Sequence, residues 1–294
     1  MYTLENQYLK VTVADNGAEL CSVYDKENEV ERIWDAEPSV WNRHAPILFP
    51  FVGKVANGVY RIDDKQYEMK TQHGFARDMD FELIEKTDSS ITQKLVSNEQ
   101  SKKLYPYDFE LYVTHAFDSE NPRLLSVKWE LKNVGSDEMY YSIGGHPAFT
   151  LPIKESNEKE EFFIGFEGSE ELTYITINTD TGLAIPNEKY TFKTEDGLIK
   201  FFDVIYKTLI FEHEDIKKVS IAKPDKTPYV TMDCREFPYL GIWTKTTGNF
   251  ICLEPWVGRT DDEGFTGTLK EKVGEQKLNV GEIFKITYSM EFHK

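Results

Sequence analysis

The stretch Phe109-Glu110-Leu111-Tyr112-Val113-Thr114-His115-Ala116-Phe117 alternates along its length. Phe109, Leu111, Val113, His115 and Phe117 share one face, with Glu110, Tyr112 and Thr114 on the other. That period of two marks a strand with one buried side, and it makes His115 a core or sheet-face histidine rather than a catalyst. The next run repeats the pattern, with Leu125, Val127, Trp129 and Leu131 set against Ser126, Lys128, Glu130 and Lys132. Outward along the chain, Leu9, Val11 and Val13 alternate with Lys10, Thr12 and Ala14, and Phe284 to Phe292 reads as a closing strand with one wet face. Val59-Tyr60-Arg61-Ile62 and Tyr67-Glu68-Met69, flanking Asp63-Asp64-Lys65-Gln66, predict a hairpin. Helical periodicity is scarce: Ser97 to Leu104 predicts one helical turn, ended by Tyr105-Pro106. Many short strands separated by turn residues predict an all-β fold, a large antiparallel β-sandwich, as one domain spanning residues 1–294. The acidic segments Lys154 to Glu161 and Glu167 to Glu171 read as solvated loops or strand edges, where charge blunts edge pairing.

Hydrophobic content of 40%, with 14% aromatic, is ample for a packed core. The formal net charge of -17 comes with no basic tract, which argues against nucleic acid as a partner and disfavours an anionic membrane surface. Cys21, Cys234 and Cys252 are odd in number and widely spaced, so neither a disulfide framework nor a zinc knuckle is expected. The N-terminal residues lack the pattern of a secretory signal, and no apolar run approaches the roughly 18 residues that span a bilayer. A cytoplasmic protein, monomer or homodimer, is the expectation.

The strand after Leu125 leads into Tyr140-Tyr141-Ser142-Ile143-Gly144-Gly145-His146-Pro147-Ala148-Phe149. Two glycines permit close approach or unusual dihedrals, and Pro147 biases His146 away from helix. A histidine at such a bend is suited to proton transfer, because its pKa lies near neutrality. Four more segments carry polar residues where the pattern predicts burial or tight turning: Trp41 to Lys54, with Arg43 at its head; Gln72-His73-Gly74-Phe75-Ala76-Arg77; Tyr239 to Thr244, with Trp243; and Phe250-Ile251-Cys252-Leu253-Glu254-Pro255-Trp256-Val257-Gly258. Glu254 closes an apolar strand. It is either half of a buried ion pair, with Arg43 for example, or a general base tuned by burial.

Together, His73-Gly74-Phe75-Ala76-Arg77, Gly145-His146-Pro147-Ala148-Phe149 and Cys252-Leu253-Glu254-Pro255-Trp256 resemble the aldose 1-epimerase (galactose mutarotase) superfamily, in its LacX-like branch. The resemblance runs from Leu4 to Phe292 and implies a large β-sandwich that holds a hexose. It implies His146 as general acid on the ring oxygen, Glu254 as general base on the C1 hydroxyl, and His73 as a supporting donor. It also implies Arg43 as a substrate contact. Arg77 and Trp243 join the expected substrate set, and Asp203 is the nominal counterpart of the family's sugar-binding aspartate. Gly-His-Pro-Ala-Phe and His-Gly-Phe depart from the standard enzyme's Asn-His-Ser-Tyr-Phe and His-Gly-Gly, which leaves the sugar open.

Anomer interconversion needs one group to take a proton from O1 while another gives one to O5, and a His/Glu pair does this without cofactor or metal. Two histidines and a glutamate formally match a facial triad, but no HxH or HxxxH spacing supports a metal. The two reactive atoms are expected to flank one sugar ring about 5–8 Å apart, without bonding each other. Arg43, Lys54 and Arg77 keep open a hexose-6-phosphate mutarotase, and a carbohydrate-binding or sensing protein without catalysis is the reading from a different class.

Overall fold

The computed structural model describes residues 1–168, 170–201, 203–212 and 216–294. Its architecture is the expected all-β one. The longer sheet runs, in spatial order, Leu198–Lys200, Phe163–Glu167, Lys218–Ala222, Pro228–Asp233, Ile283–Phe292, Leu124–Asn133, Phe109–Phe117, Ser90–Val96 and Glu82–Lys86. A second sheet runs Tyr190–Lys193, Glu171–Thr176, Leu209–Glu212, Tyr239–Trp243, Phe250–Val257, Ile143–Gly145 and Ile47–Leu48, and Ala148–Thr150 also pairs with Phe250–Val257. The strand pairings in both are antiparallel.

The alternation read from Phe109–Phe117 and Leu124–Asn133 becomes register. Leu111 pairs with Leu131, Val113 with Trp129 and His115 with Val127, all buried, and Ile286 and Tyr288 extend the row on the closing strand. The opposite face carries Lys94, Glu110, Lys128, Glu130 and Lys285, linked by ion pairs. His115 is 2% exposed, and burial brings its pKa down to about 4, so it sits in the core as a neutral ring.

A small sheet of Tyr2–Glu5, Leu9–Val13, Leu20–Asp25 and Val30–Glu31 packs at the N-terminus. Asp25 there is fully buried, and its Oδ2 accepts from Arg32 Nη2 (2.6 Å) and Arg123 Nη1 (3.0 Å), while Arg32 also donates to the His293 carbonyl. One carboxylate thus fastens both chain ends to the long sheet.

Smaller expectations meet mixed outcomes. The helical turn exists as Glu99–Leu104, capped by the Asn98 side chain, which accepts from the Gln100 and Ser101 amides. The hairpin is tighter than read: Lys65–Glu68 pairs with Val59–Ile62, so only Asp63 and Asp64 form the turn. The acidic segment after Lys154 is not all solvated, since Ser156–Glu161 winds as a 3-10 turn and Lys159 within it is fully buried.

Candidate active site

Phe250–Val257 is buried at every position, because it has two covered faces. Ile251, Leu253 and Val257 enter the main core; Phe250, Cys252 and Trp256 lie in separate clusters on the other side, with Glu254 among them. The strand does not stop at Glu254 as the sequence suggests, but runs on through Pro255 and Trp256.

Pro255 is accommodated because the neighbouring strand is split. Ala148–Thr150 pairs with Phe250–Cys252, Ile143 and Gly144 pair with Val257 and Trp256, and the ladder is interrupted between. The same register continued across the gap sets His146 opposite Glu254. His146 is held there by its own N–H, which donates to the Pro46 carbonyl (3.1 Å), and by Ala148 N–H donating to His44 O (3.0 Å). Cross-strand neighbours on one face have Cβ atoms only about 4.5–5.5 Å apart. Accordingly His146 Nε2 lies 3.3 Å from Glu254 Oε2. This is shorter than the expected separation of about 5–8 Å, because both side chains start from neighbouring positions on one face and turn toward the same cavity, though no hydrogen bond joins them. The glycines also serve a different purpose from the one read. Neither Gly144 nor Gly145 has positive φ; a Cβ on Gly144 would sit 2.6 Å from Trp256 Cδ1, so its bareness seats the indole.

Both carboxylate oxygens of Glu254 and Nδ1 of His146 are buried without hydrogen-bond partners. Burial pushes the Glu254 carboxyl well up and the His146 imidazole well down. The pair is therefore driven toward carboxylic acid and neutral imidazole.

His73 reaches the same place by a strained turn. It has φ +66°, followed by Gly74 at +70°, whose absent Cβ would otherwise meet Phe49 O at 2.2 Å. His73 N–H donates to Gly53 O (2.7 Å), and Gly53 N–H donates back to Nδ1 (3.0 Å). Nδ1 is thus an acceptor, which leaves the proton on Nε2; two N–H groups cannot face each other at 2.9 Å, so the Gln72 side-chain amide turns its oxygen to accept that proton. The His73 and His146 rings meet edge-on at 5.5 Å.

A cavity of about 550 Å³ opens over this floor. His73, His146, Glu254, Arg43, Arg77 and Trp243 all line it, so six of the residues singled out from sequence converge. The side chain of Asp203, which opens the 3-10 turn Asp203–Lys207, lies outside the described residues. Arg43 does not pair with Glu254; its Nη2 binds Asp78 Oδ1 at 2.5 Å and its Nη1 contacts the Arg77 carbonyl. Arg77 is lowered from its ordinary pKa by burial and by Arg43, and its buried Nε, 3.8 Å from Asp78, makes no hydrogen bond. The segment bearing Arg43 is anchored by buried Glu19, which accepts from the amides of His44 (2.7 Å) and Ala45 (2.9 Å).

Of the aromatics, Trp243 and Trp256 line the cavity, whereas Phe75 and Phe149 belong to the core. Trp41 was not singled out as a site residue, yet its ring lies 4.8 Å from that of His146. Its only signal in the sequence is a bulky ring two residues before Arg43. Cys252 brings its thiol into a trio with His146 and Glu254 whose donor atoms lie within 4.8 Å of one another. Burial and the neighbouring Glu254 push that thiol well up, and a protonated thiol is a poor metal ligand.

The aldose 1-epimerase family model matches residues 1–277. The chain belongs to the aldose 1-epimerase family. Within it, the chain is 31% identical over 268 residues to the chromosomal LacX protein of Lactococcus lactis subsp. lactis, covering 87% of each. Among solved structures it is similar to a galactose mutarotase related enzyme from Lactobacillus acidophilus, with TM-score 0.92, 35% identity and coverage of 100% of this chain and 97% of that one. A galactose mutarotase-like protein from Lactobacillus casei gives TM-score 0.90 and 30% identity over the full length of both. The aldose 1-epimerase fold therefore extends over the whole chain, and no helix of the described residues is long and apolar enough to cross a membrane.

Proposed function

We propose that this protein is a mutarotase: it binds an aldose in the cavity above His146 and Glu254 and interconverts its α and β anomers. The observation that carries the reading is the His146–Glu254 pair itself, buried, 3.3 Å apart and unpartnered at the floor of an open cavity. Binding alone needs no matched acid and base, which disfavours a sensing protein.

Moving the carboxylic proton of Glu254 to His146 gives carboxylate and imidazolium. Glu254 then takes the proton from the C1 hydroxyl; the C1–O1 bond becomes a carbonyl as the C1–O5 bond breaks, and O5 receives the proton of His146. The open chain is left above a neutral pair, the protonation state that burial favours. Rotation about C1–C2 presents the other carbonyl face, and the two groups exchange roles as the ring closes. His73 donates through Nε2, Trp243 and Trp256 offer apolar faces, and Arg43 and Arg77 hold hydroxyls at the wall. Each proton transfer is worth roughly 10²–10⁴-fold.

The test is polarimetry, or NMR exchange between anomers, on a panel of freshly dissolved aldoses. Tight binding without anomerisation would leave a sugar-binding protein instead.

A second reading concerns the substrate's charge. Two adjacent guanidinium groups share the carboxylate of Asp78, and the buried Arg77 Nε, 3.8 Å from it, makes no hydrogen bond. That arrangement suits an aldose carrying a phosphate. Comparing KM for a hexose and its 6-phosphate in wild type and Arg77→Met decides it: only a phosphate-dependent advantage lost in the variant supports a phosphorylated substrate.

A further inference from the structure

Lys159 lies in a segment whose composition is that of solvated surface, yet it has no exposed area. The 3-10 turn Ser156–Glu161 carries its side chain beneath the turn that joins Tyr239–Trp243 to Phe250–Val257. There the ammonium donates to three main-chain carbonyls, those of Lys245 (2.6 Å), Gly248 (2.8 Å) and Thr246 (3.3 Å), with Thr244 Oγ1 at 3.5 Å. The Tyr206 ring lies 5.2 Å from the same nitrogen. Converging oxygens of this kind coordinate ammonium or potassium, since they replace the ion's water shell. Without a cation their dipoles point at one another in a buried space.

The turn that Lys159 gathers is a wall of the sugar cavity: Thr244, Lys245, Thr246 and Tyr206 all line it. Lys245 in turn donates to the Val40 carbonyl, beside Trp41, whose ring lies against His146. The buried Lys159 ammonium gathers the turn, and the Lys245 ammonium ties that turn to the segment bearing the aromatic beside the reacting histidine.

We propose that Lys159 is the resident cation of a carbonyl cage that holds this wall in its binding shape, a positioning residue that sets affinity for the aldose. The part concerning affinity rests on the cavity taking an aldose; the cage itself does not.

Two variants separate the charge from the bulk. Lys159→Ala empties the cage, and methylammonium or potassium can refill it. Lys159→Met fills the space with an apolar chain and admits no cation. The first readout needs no sugar: the Gly248 amide donates to the Lys245 carbonyl at 3.0 Å, and its hydrogen exchange reports whether the turn is held. Exchange over 244–248 is expected to quicken by about tenfold or more in both variants. KM is expected to rise about tenfold with kcat changed less than threefold, and methylammonium should restore Lys159→Ala alone.

Wild-type exchange in both variants, or rescue of neither, overturns the cage. Faster exchange with unchanged KM overturns the positioning role. If wild type anomerises no aldose, the exchange arm still decides on the cage, while polarimetry has independently removed the sugar reading. Should both variants fail to fold, the wild-type protein supplies the test. Burial brings the Lys159 ammonium down to about 8. The charged or titratable groups about it are Glu160 beside it, the Tyr206 ring, and Lys245, whose own ammonium points to Val40. KM should therefore climb as the pH rises through about 8, with kcat not following; a level KM overturns the proposal.

Discussion

His146 and Glu254 face each other across a break in a β-ladder, with Nε2 3.3 Å from Oε2. The break is what makes the arrangement tolerable. Pro147 and Pro255 lie in it on opposite strands, and neither carries an N–H, so the gap leaves fewer buried donors in need of acceptors.

Replacing Glu254 with Gln should abolish anomerisation, by about 10²–10⁴-fold, with sugar affinity retained. The same change should raise Tm. Glu254 is pushed above its ordinary value of 4.5, so its fit to the fold is full below that pH and is lost as pH rises through the folded value. The stability advantage of Gln should therefore widen from acid to neutral pH, and melting curves across that range read it directly. A Tm lowered at neutral pH would show that the carboxylate is held by partners instead.

At saturating sugar, the pH profile of kcat should be flat across neutrality. Glu254 moves up and His146 moves down, so between them the pair carries one proton whichever group holds it. A second proton is added on the acid side, beneath the ordinary histidine value of 6.5, and the shared proton is lost on the alkaline side. Anomer exchange measured from about pH 4 to 9 checks this. An acid limb at or above the ordinary histidine value would contradict it.

Chelation should leave activity unchanged. The Cys252 thiol near the pair stays protonated, and burial drives Glu254 toward its neutral carboxylic acid, so two of the three donors are poor metal ligands. Dialysis against EDTA followed by polarimetry is the check; a loss restored by one particular metal would reverse the assignment.

Asp25→Asn should destabilise the fold by about 3–5 kcal/mol, because Arg32 and Arg123 would lose the buried charge they share. Asp25 is held well below its ordinary 3.8 despite burial, by hydrogen bonds from both guanidinium groups. Its contribution is present above that value and lost as pH falls, so wild type and variant should converge in acid. Urea unfolding at two pH values separates this from a plain packing defect.

The middle of the long sheet was legible because its strands have one wet face: Phe109–Phe117 and Leu124–Asn133 spell their burial in alternation, whereas Phe163–Glu167, buried through its centre, does not. Phe250–Val257 could not be read this way. Both its faces are covered, so its pattern is a plain apolar run, and the face shared by Cys252, Glu254 and Trp256 emerges only from the register. The motifs located His73, His146 and Glu254, but their spacing is a product of pairing between distant segments. Lys159 was invisible for a related reason: its partners are main-chain carbonyls, which any sequence at 245–248 would supply.

The bare backbone under Trp256 bears on how such a pocket diversifies. A Cβ at Gly241 would stand 2.4 Å from the indole, as one at Gly144 would stand 2.6 Å from it. Adding a single carbon at either place must lift the ring toward the cavity it lines. Substitution at either glycine can therefore make the pocket shallower through positions outside its lining. Such a change would be written beneath the cavity surface, in residues that comparisons of lining positions alone would overlook.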